Sequence, residues 1–221
     1  MATILLARHG ETDWNAEHRW QGHTDRPLNE RGREQAEALA GRLDGTELEA
    51  VWSSDLRRAR DTAAVVAKRR GIDLRTTPEL REVDVGSWSG LTKSEAKVRS
   101  PESFAHWKAG YVGWTGGETY EQLSERVLRA VRRIALEQAE RPVLVVSHGG
   151  CIRAIHAAAL GLDVHTYRRL RPVEPHARLS AVCVEDGRLT ELCRAGDIDE
   201  LVARDQRERL AATRRPPTPA G

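Results

Sequence analysis

The stretch that decides the fold is Val143-Leu144-Val145-Val146-Ser147-His148-Gly149-Gly150. Four apolar residues in an unbroken run read as a strand buried on both faces, as in a parallel sheet covered by helices. The run then meets a histidine and two glycines. Beyond them Ile152, Ile155, Ala158 and Ala159 return at helical spacing. This is a strand, a tight turn and a helix, with a histidine at the strand's carboxyl end. Thr3-Ile4-Leu5-Leu6-Ala7 repeats the pattern near the N-terminus, running into Arg8-His9-Gly10.

The rest of the chain alternates in the same way. The polar run from Asp13 to Arg26 reads as a loop. Asn29 follows Pro27 and suits the N-cap of a helix carrying Ala36, Leu39, Ala40 and Leu43, with Gly45 as its stop. Ala50–Ser53 reads as a strand. Ser54 is a candidate N-cap for a helix to about Arg70, which Gly71 ends. Residues from about 86 to 118 are studded with glycine and read as an irregular, cap-like insertion with one or two short helices. Thr119-x-x-Gln122 is a capping box. It opens a long helix with Leu123, Val127, Ala130, Val131 and Ile134 on one face, closed before Pro142. Leu179–Val184 and Leu189–Leu192 read as two strands joined by Asp186-Gly187, a hairpin signal. The expected fold is α/β: a three-layer sandwich with a mainly parallel central sheet flanked by helices. One domain is expected over residues 1–203, followed by a charged, Pro-rich disordered tail over 204–221.

Composition excludes several classes of function. Over 221 residues, 35 Lys and Arg against 33 Asp and Glu leave a formal charge of +2. That supplies no field for nucleic acid. No stretch of about 18 apolar residues exists, so no membrane partner is expected. Cys151, Cys183 and Cys193 are an odd set without C-x-x-C spacing, and the N-terminus lacks a basic, then apolar leader. A reducing, cytoplasmic setting is the expectation. A homodimer is an assembly that the sequence leaves open.

Four places carry chemistry. In open α/β sheets ligands gather at the carboxyl ends of strands, where both histidines stand. A neutral imidazole is a nucleophile, and a neighbouring arginine favours the neutral form while its planar fork binds phosphate. Ser147-His148-Gly149-Gly150 adds backbone N–H groups at a helix start, which favour anions. Arg57-Arg58-Ala59-Arg60 opens a helix just after a strand, so one of these arginines can reach an anion site. Glu82 is an acid able to protonate a leaving oxygen. No carboxylate cluster demands Mg²⁺ or Zn²⁺, so no metal and no cofactor are expected.

Together these segments resemble the histidine phosphatase superfamily, in the branch that includes cofactor-dependent phosphoglycerate mutases. The resemblance rests on ordered blocks. They are Leu6-Ala7-Arg8-His9-Gly10-Glu11-Thr12-Asp13-Trp14-Asn15 with Trp20-Gln21-Gly22, then Ser53-Ser54-Asp55-Leu56-Arg57-Arg58-Ala59, then Leu80 to Gly90, Gly116-Gly117-Glu118-Thr119, and Val146-Ser147-His148-Gly149-Gly150. It implies that His9 takes the phosphoryl group and that Arg8, Arg58 and His148 hold the phosphate oxygens. It further implies that Glu82 is the general acid and then the base for water. Asn15, Gln21, Gly22 and Gly149 are implied in substrate binding. The family often has an asparagine near the late strand. This chain reads Pro175-His176-Ala177-Arg178 there, so no contact is assigned at that place.

The expected activity is metal-independent hydrolysis of a phosphomonoester, through a phosphohistidine, on a small phosphorylated metabolite such as a sugar phosphate or phosphoglycerate. A phosphoglycerate mutase on the same fold, a non-catalytic phosphate-binding module and a metal-dependent phosphoesterase are the competing readings. Trp88, Trp107 and Trp114 read either as core filling or as a wall that stacks on the substrate.

Overall fold

The computed structural model describes residues 1–138 and 141–193. Strands β1 (Ala2–Arg8), β2 (Ala50–Ser54), β3 (Leu74–Thr77), β4 (Val143–Ser147), β5 (Leu179–Glu185) and β6 (Arg188–Cys193) form one sheet in the order β3-β2-β4-β1-β5-β6. The first four are mutually parallel, and β5 and β6 add an antiparallel hairpin at one edge. Its turn, Asp186-Gly187, has φ of 49° and 74°, the two positive angles of a type I′ turn.

The continuous apolar runs are explained by what covers them. Leu5, Ala7, Leu144 and Val146 pack on one face of the sheet, against α2 (Glu30–Arg42) and α3 (Arg57–Arg70). Ile4, Leu6, Val143 and Val145 pack on the other, against α6 (Tyr120–Leu136) and α7 (Gly149–Ala159). Successive side chains on a strand point to opposite faces, so a strand covered on both sides has no polar position to alternate with. Each such aliphatic side chain contributes about 1.5–3 kcal/mol by leaving water.

Asn29 and Thr119 cap their helices, the latter in a full capping box, and Gly71 ends α3 in the left-handed region at φ 63°. Two local readings differ, and two elements, a strand and a helix, have no counterpart in the sequence reading. Asp13–Ala16 is not loop but a short helix, α1, because Thr12 and Asn15 form a reciprocal capping box. Ser54 is the last residue of β2, and Leu56 stands at the N-cap of α3 without a side-chain bond. Strand β3 has no apolar alternation because it is an edge, with Arg75 and Thr76 exposed. Helix α8 (Val164–Leu170) is short, capped by Asp163, and buries only Val164 and Tyr167.

The insertion carries α4 (Lys93–Arg99) and α5 (Pro101–Lys108). Trp88 and Trp114 are buried, and Trp20, Phe104 and Trp107 pack around them. Core filling therefore accounts for Trp88 and Trp114. Among the described residues no helix is long and apolar enough to cross a membrane. The expected domain end at 203 and the tail 204–221 lie outside the described residues.

Candidate active site

Adjacent parallel strands β1 and β4 end side by side, and the His9 N–H donates to the Ser147 carbonyl at 2.9 Å. Both histidines are thereby delivered to one point: His148 is fully buried, and its ring centroid lies 5.1 Å from that of His9. His9 Nδ1 is 2.6 Å from the Gly10 carbonyl oxygen. A carbonyl only accepts, so the proton sits on Nδ1 and the lone pair on Nε2. Gly10 is required by packing: a Cβ there would come within 2.3 Å of the Gly32 oxygen at the start of α2. Its N–H donates to Thr62 Oγ1 at 3.0 Å, tying the turn to α3.

Arginines surround this point. Arg8 donates from Nη1 to the Glu174 carbonyl at 3.2 Å. Arg58, only 1% exposed, donates to the carbonyls of Thr24 and Gly22 at 2.9 and 2.8 Å. Four buried nitrogens here have no hydrogen-bond partner among the described residues: Nε of Arg8, Nε of Arg58, and both ring nitrogens of His148. Buried polar atoms are rarely left so, and a concentration of nitrogens at one place fits an oxyanion. Burial lowers Arg8 and Arg58 to about 10, which leaves both charged at neutral pH. Burial, with Arg58 next, holds His9 and His148 well below the ordinary imidazole range. His9 is therefore a neutral base with an available lone pair.

Glu82 lies near the same arginines, and its charge supports those of Arg8 and Arg58. Its Oε1 accepts from the N–H of Val83 at 2.9 Å and of Gly150 at 3.0 Å. Its backbone carbonyl accepts from His23 Nε2 and Arg126 Nη2. Arg126 also binds the carbonyls of Glu79 and Arg81.

The other residues expected from sequence are placed as follows. Of the arginine run, Arg58 is buried at the site and Arg57 is exposed, about 100° away around the helix. Gly22 (φ 52°) offers its carbonyl to Arg58, and a Cβ there would meet Val85 at 2.8 Å. Gln21 is buried, with Oε1 unpaired. Gly149 begins α7 and gives Val173 the space of a side chain, with a Cβ position 3.7 Å from Arg8 Nε. Asn15 Oδ1 accepts from Thr12 N and Oγ1 in the α1 cap, a role that takes the amide oxygen and not its Nδ2 donors.

Sequence reasoning missed two parts. His176 sits with its ring 5.3 Å from that of His9 and donates from Nδ1 to the His9 carbonyl at 2.8 Å. The only signal was a histidine just before the late strand. Arg126 was hidden on the polar face of an amphipathic helix, where an arginine is ordinarily solvated. Among the described residues no group of three or more His, Cys, Asp or Glu side chains is placed to hold a metal ion.

Comparison with known proteins supplies the context. The model of the histidine phosphatase superfamily (branch 1) matches residues 4–195. The chain is 42% identical over 158 residues to a metal-independent phosphoserine phosphatase of Arabidopsis thaliana, covering 69% of this chain and 66% of that protein. It is 37% identical over 173 residues to the glucosyl-3-phosphoglycerate phosphatase of Mycolicibacterium vanbaalenii, covering 74% and 76%. Among solved structures, a mycobacterial glucosyl-3-phosphoglycerate phosphatase in complex with VO3 superposes with a TM-score of 0.80 at 32% identity, over 88% of this chain and 99% of that one.

Proposed function

The chain belongs to the histidine phosphatase superfamily, branch 1, and from that premise we propose that it hydrolyses phosphomonoesters of small metabolites through a phosphohistidine on His9. The observation that carries the reading is the His9–Gly10 hydrogen bond, which leaves the Nε2 lone pair among Arg8, Arg58 and His148. Relatives named as phosphoserine and glucosyl-3-phosphoglycerate phosphatases support the class of substrate.

Catalysis divides into two displacements. His9 Nε2 attacks phosphorus as the bond to the leaving oxygen breaks. The protonated Glu82 carboxyl gives that oxygen its proton, so an alcohol departs. Water then attacks the phosphohistidine, Glu82 takes its proton, and the N–P bond breaks to release phosphate. The phosphoryl group spreads charge over its equatorial oxygens, and Arg8, Arg58 and His148 offer fixed donors to it. Such electrostatic stabilisation makes no call on a metal. Each arginine is immobilised by carbonyls before substrate arrives, so little reorganisation is left for the reaction step.

The same proposal puts the chain in the cytoplasm, where buried free thiols such as Cys151, Cys183 and Cys193 persist. The test is rapid quenching during turnover. Acid-labile, base-stable phosphate is expected on the wild type and absent from His9→Ala, whose turnover is nearly abolished. No trapped phosphate, together with substantial turnover by His9→Ala, would overturn the covalent route. Loss of activity in EDTA, restored by Mn²⁺ or Zn²⁺, would overturn the metal-independent one.

A further inference from the structure

Arg153 stands on α7, three residues past Gly150, whose N–H holds the Glu82 carboxylate. Residues three apart lie on the same side of a helix, so Arg153 follows Glu82 outward along one face. The two side chains feel each other: the Glu82 charge supports that of Arg153, and the Arg153 charge weighs against that of Arg8. Tyr120 and Arg168 are its further neighbours in charge.

The other arginines around the site are tied down. Arg8 and Arg58 bind carbonyls, Arg126 binds Glu118, and Arg168 binds the Trp107 carbonyl and the Tyr120 hydroxyl. Arg153 has no hydrogen bond or ion pair to a described residue, and its Nε is buried without a partner. Arg153 is half-buried, and an Nε withdrawn from water without a partner carries a cost that a bound anion relieves, while its remaining N–H donors are open to a ligand. Its position decides which anion. Glu82 gives its proton to the leaving oxygen, so the alcohol departs on the Glu82 side, toward Arg153. One unpaired guanidinium matches the single charge of a carboxylate, whereas the phosphate position around His9 gathers two arginines and a histidine.

We propose that Arg153 binds a carboxylate carried by the leaving alcohol, which makes the enzyme selective for phosphomonoesters of hydroxy acids. This rests on the hydrolase reading above, with Glu82 as the acid. A guanidinium holds a carboxylate through two parallel hydrogen bonds, which fixes the angle of the alcohol as well as its affinity.

The experiment compares substrates that differ at the carboxylate: O-phosphoserine against O-phosphoethanolamine, and 3-phosphoglycerate against glycerol 3-phosphate. The wild type is expected to favour the carboxylate-bearing member of each pair by about 10- to 100-fold in kcat/KM. Arg153→Gln is expected to bring each ratio to within about threefold of unity. Arg153→Lys, which keeps the charge and loses the fork, is expected to retain part of the preference. It also serves as the reading should the Gln variant fail to fold. A wild type without preference, or a variant in which both members of a pair fall equally, overturns the assignment. p-Nitrophenyl phosphate separates this failure from that of the underlying reading. A wild type that hydrolyses it without preferring carboxylates refutes only the role of Arg153. One inert toward it and toward every pair refutes the hydrolase, and this inference with it.

Discussion

Arg126 and Glu118 meet at two points, Nε to Oε1 at 2.7 Å and Nη2 to Oε2 at 2.6 Å. The remaining donors of that guanidinium gather the carbonyls of Glu79, Arg81 and Glu82. Glu118 also accepts from the Asp84 N–H, two residues beyond Glu82. The pair thus sets the path of the backbone that carries the Glu82 carboxyl. Glu118→Gln keeps the shape and weakens the charge-assisted bonds. We expect a loss of about tenfold in kcat/KM for alkyl phosphates and a smaller loss for p-nitrophenyl phosphate, whose leaving group needs no proton. Equal losses for both would show that the pair supports the fold alone.

Glu82 itself should show the same contrast more strongly. Glu82→Gln removes the transferable proton and should cost about 10²–10⁴ in rate for alkyl phosphates, and less for the activated ester in the first step. The comparison is made on the burst of leaving group, so that slow dephosphorylation does not mask it. Equal burst rates lost for both esters would remove Glu82 from the acid role.

Arg58 and Arg57 are adjacent in sequence and opposite in circumstance, one buried at the site and the other exposed. Arg58→Ala should cost about 10²–10³ in kcat, as expected for a fixed donor to the transferring group. Arg57→Ala should stay within about threefold of wild type, as surface substitutions do. Steady-state kinetics of the two variants decides it, and comparable losses would mean that α3 presents the other arginine.

The helices and the central strands were legible because their patterns follow from burial. A run such as Val143–Val146 has no other soluble explanation than cover on both faces. The two histidines were legible for the same reason, since each terminates such a run. Strand β3 was not, because an edge strand with Arg75 and Thr76 in solvent needs no apolar period. His176 escaped because its place depends on pairing across the sheet: Arg8 bridges His176, and the Ala177 N–H donates to the Arg8 carbonyl. Long-range pairings of this kind leave no periodic trace. The α1 helix escaped because four residues held by a capping box carry no apolar stripe at all.

His176 gives the fold an acid-side sensitivity. Burial, with the Arg8 charge next, lowers its pKa to about 4, against about 6.5 in the unfolded chain. Between those values the unfolded chain binds a proton that the folded chain refuses. Its contribution is therefore complete above pH 6.5 and is lost progressively as pH falls toward 4. His9 and His148 are lowered too and act in the same direction. Melting temperatures of wild type and His176→Asn, measured from pH 7 to 4.5, should show a shallower decline in the variant. Parallel curves would mean that His176 titrates alike in both states.

A phosphohistidine on His9, as proposed above, would be emptied by water or by a second substrate oxygen, and the segment beyond Glu82 would decide between them. A mutase must exclude water while its intermediate reorients, which calls for a lid that closes. Here the interval from Leu91 to Glu118 is committed to the body of the protein. Helix α4 is fixed by the Thr92–Glu95 capping box, and Glu95 binds Arg19. Trp107 packs edge-on to Trp20 with ring centroids 5.2 Å apart. Trp114 donates to the Glu118 carbonyl and is 5% exposed. Closing this segment as a lid would draw these rings out of the core, at about 3–5 kcal/mol for a tryptophan truncated in place. We therefore expect phosphate release with negligible isomerisation. The assay supplies 3-phosphoglycerate with catalytic 2,3-bisphosphoglycerate and follows both 2-phosphoglycerate and inorganic phosphate. Isomerisation much faster than phosphate release from any tested ester would show that this segment moves after all, and that the chain works as a mutase.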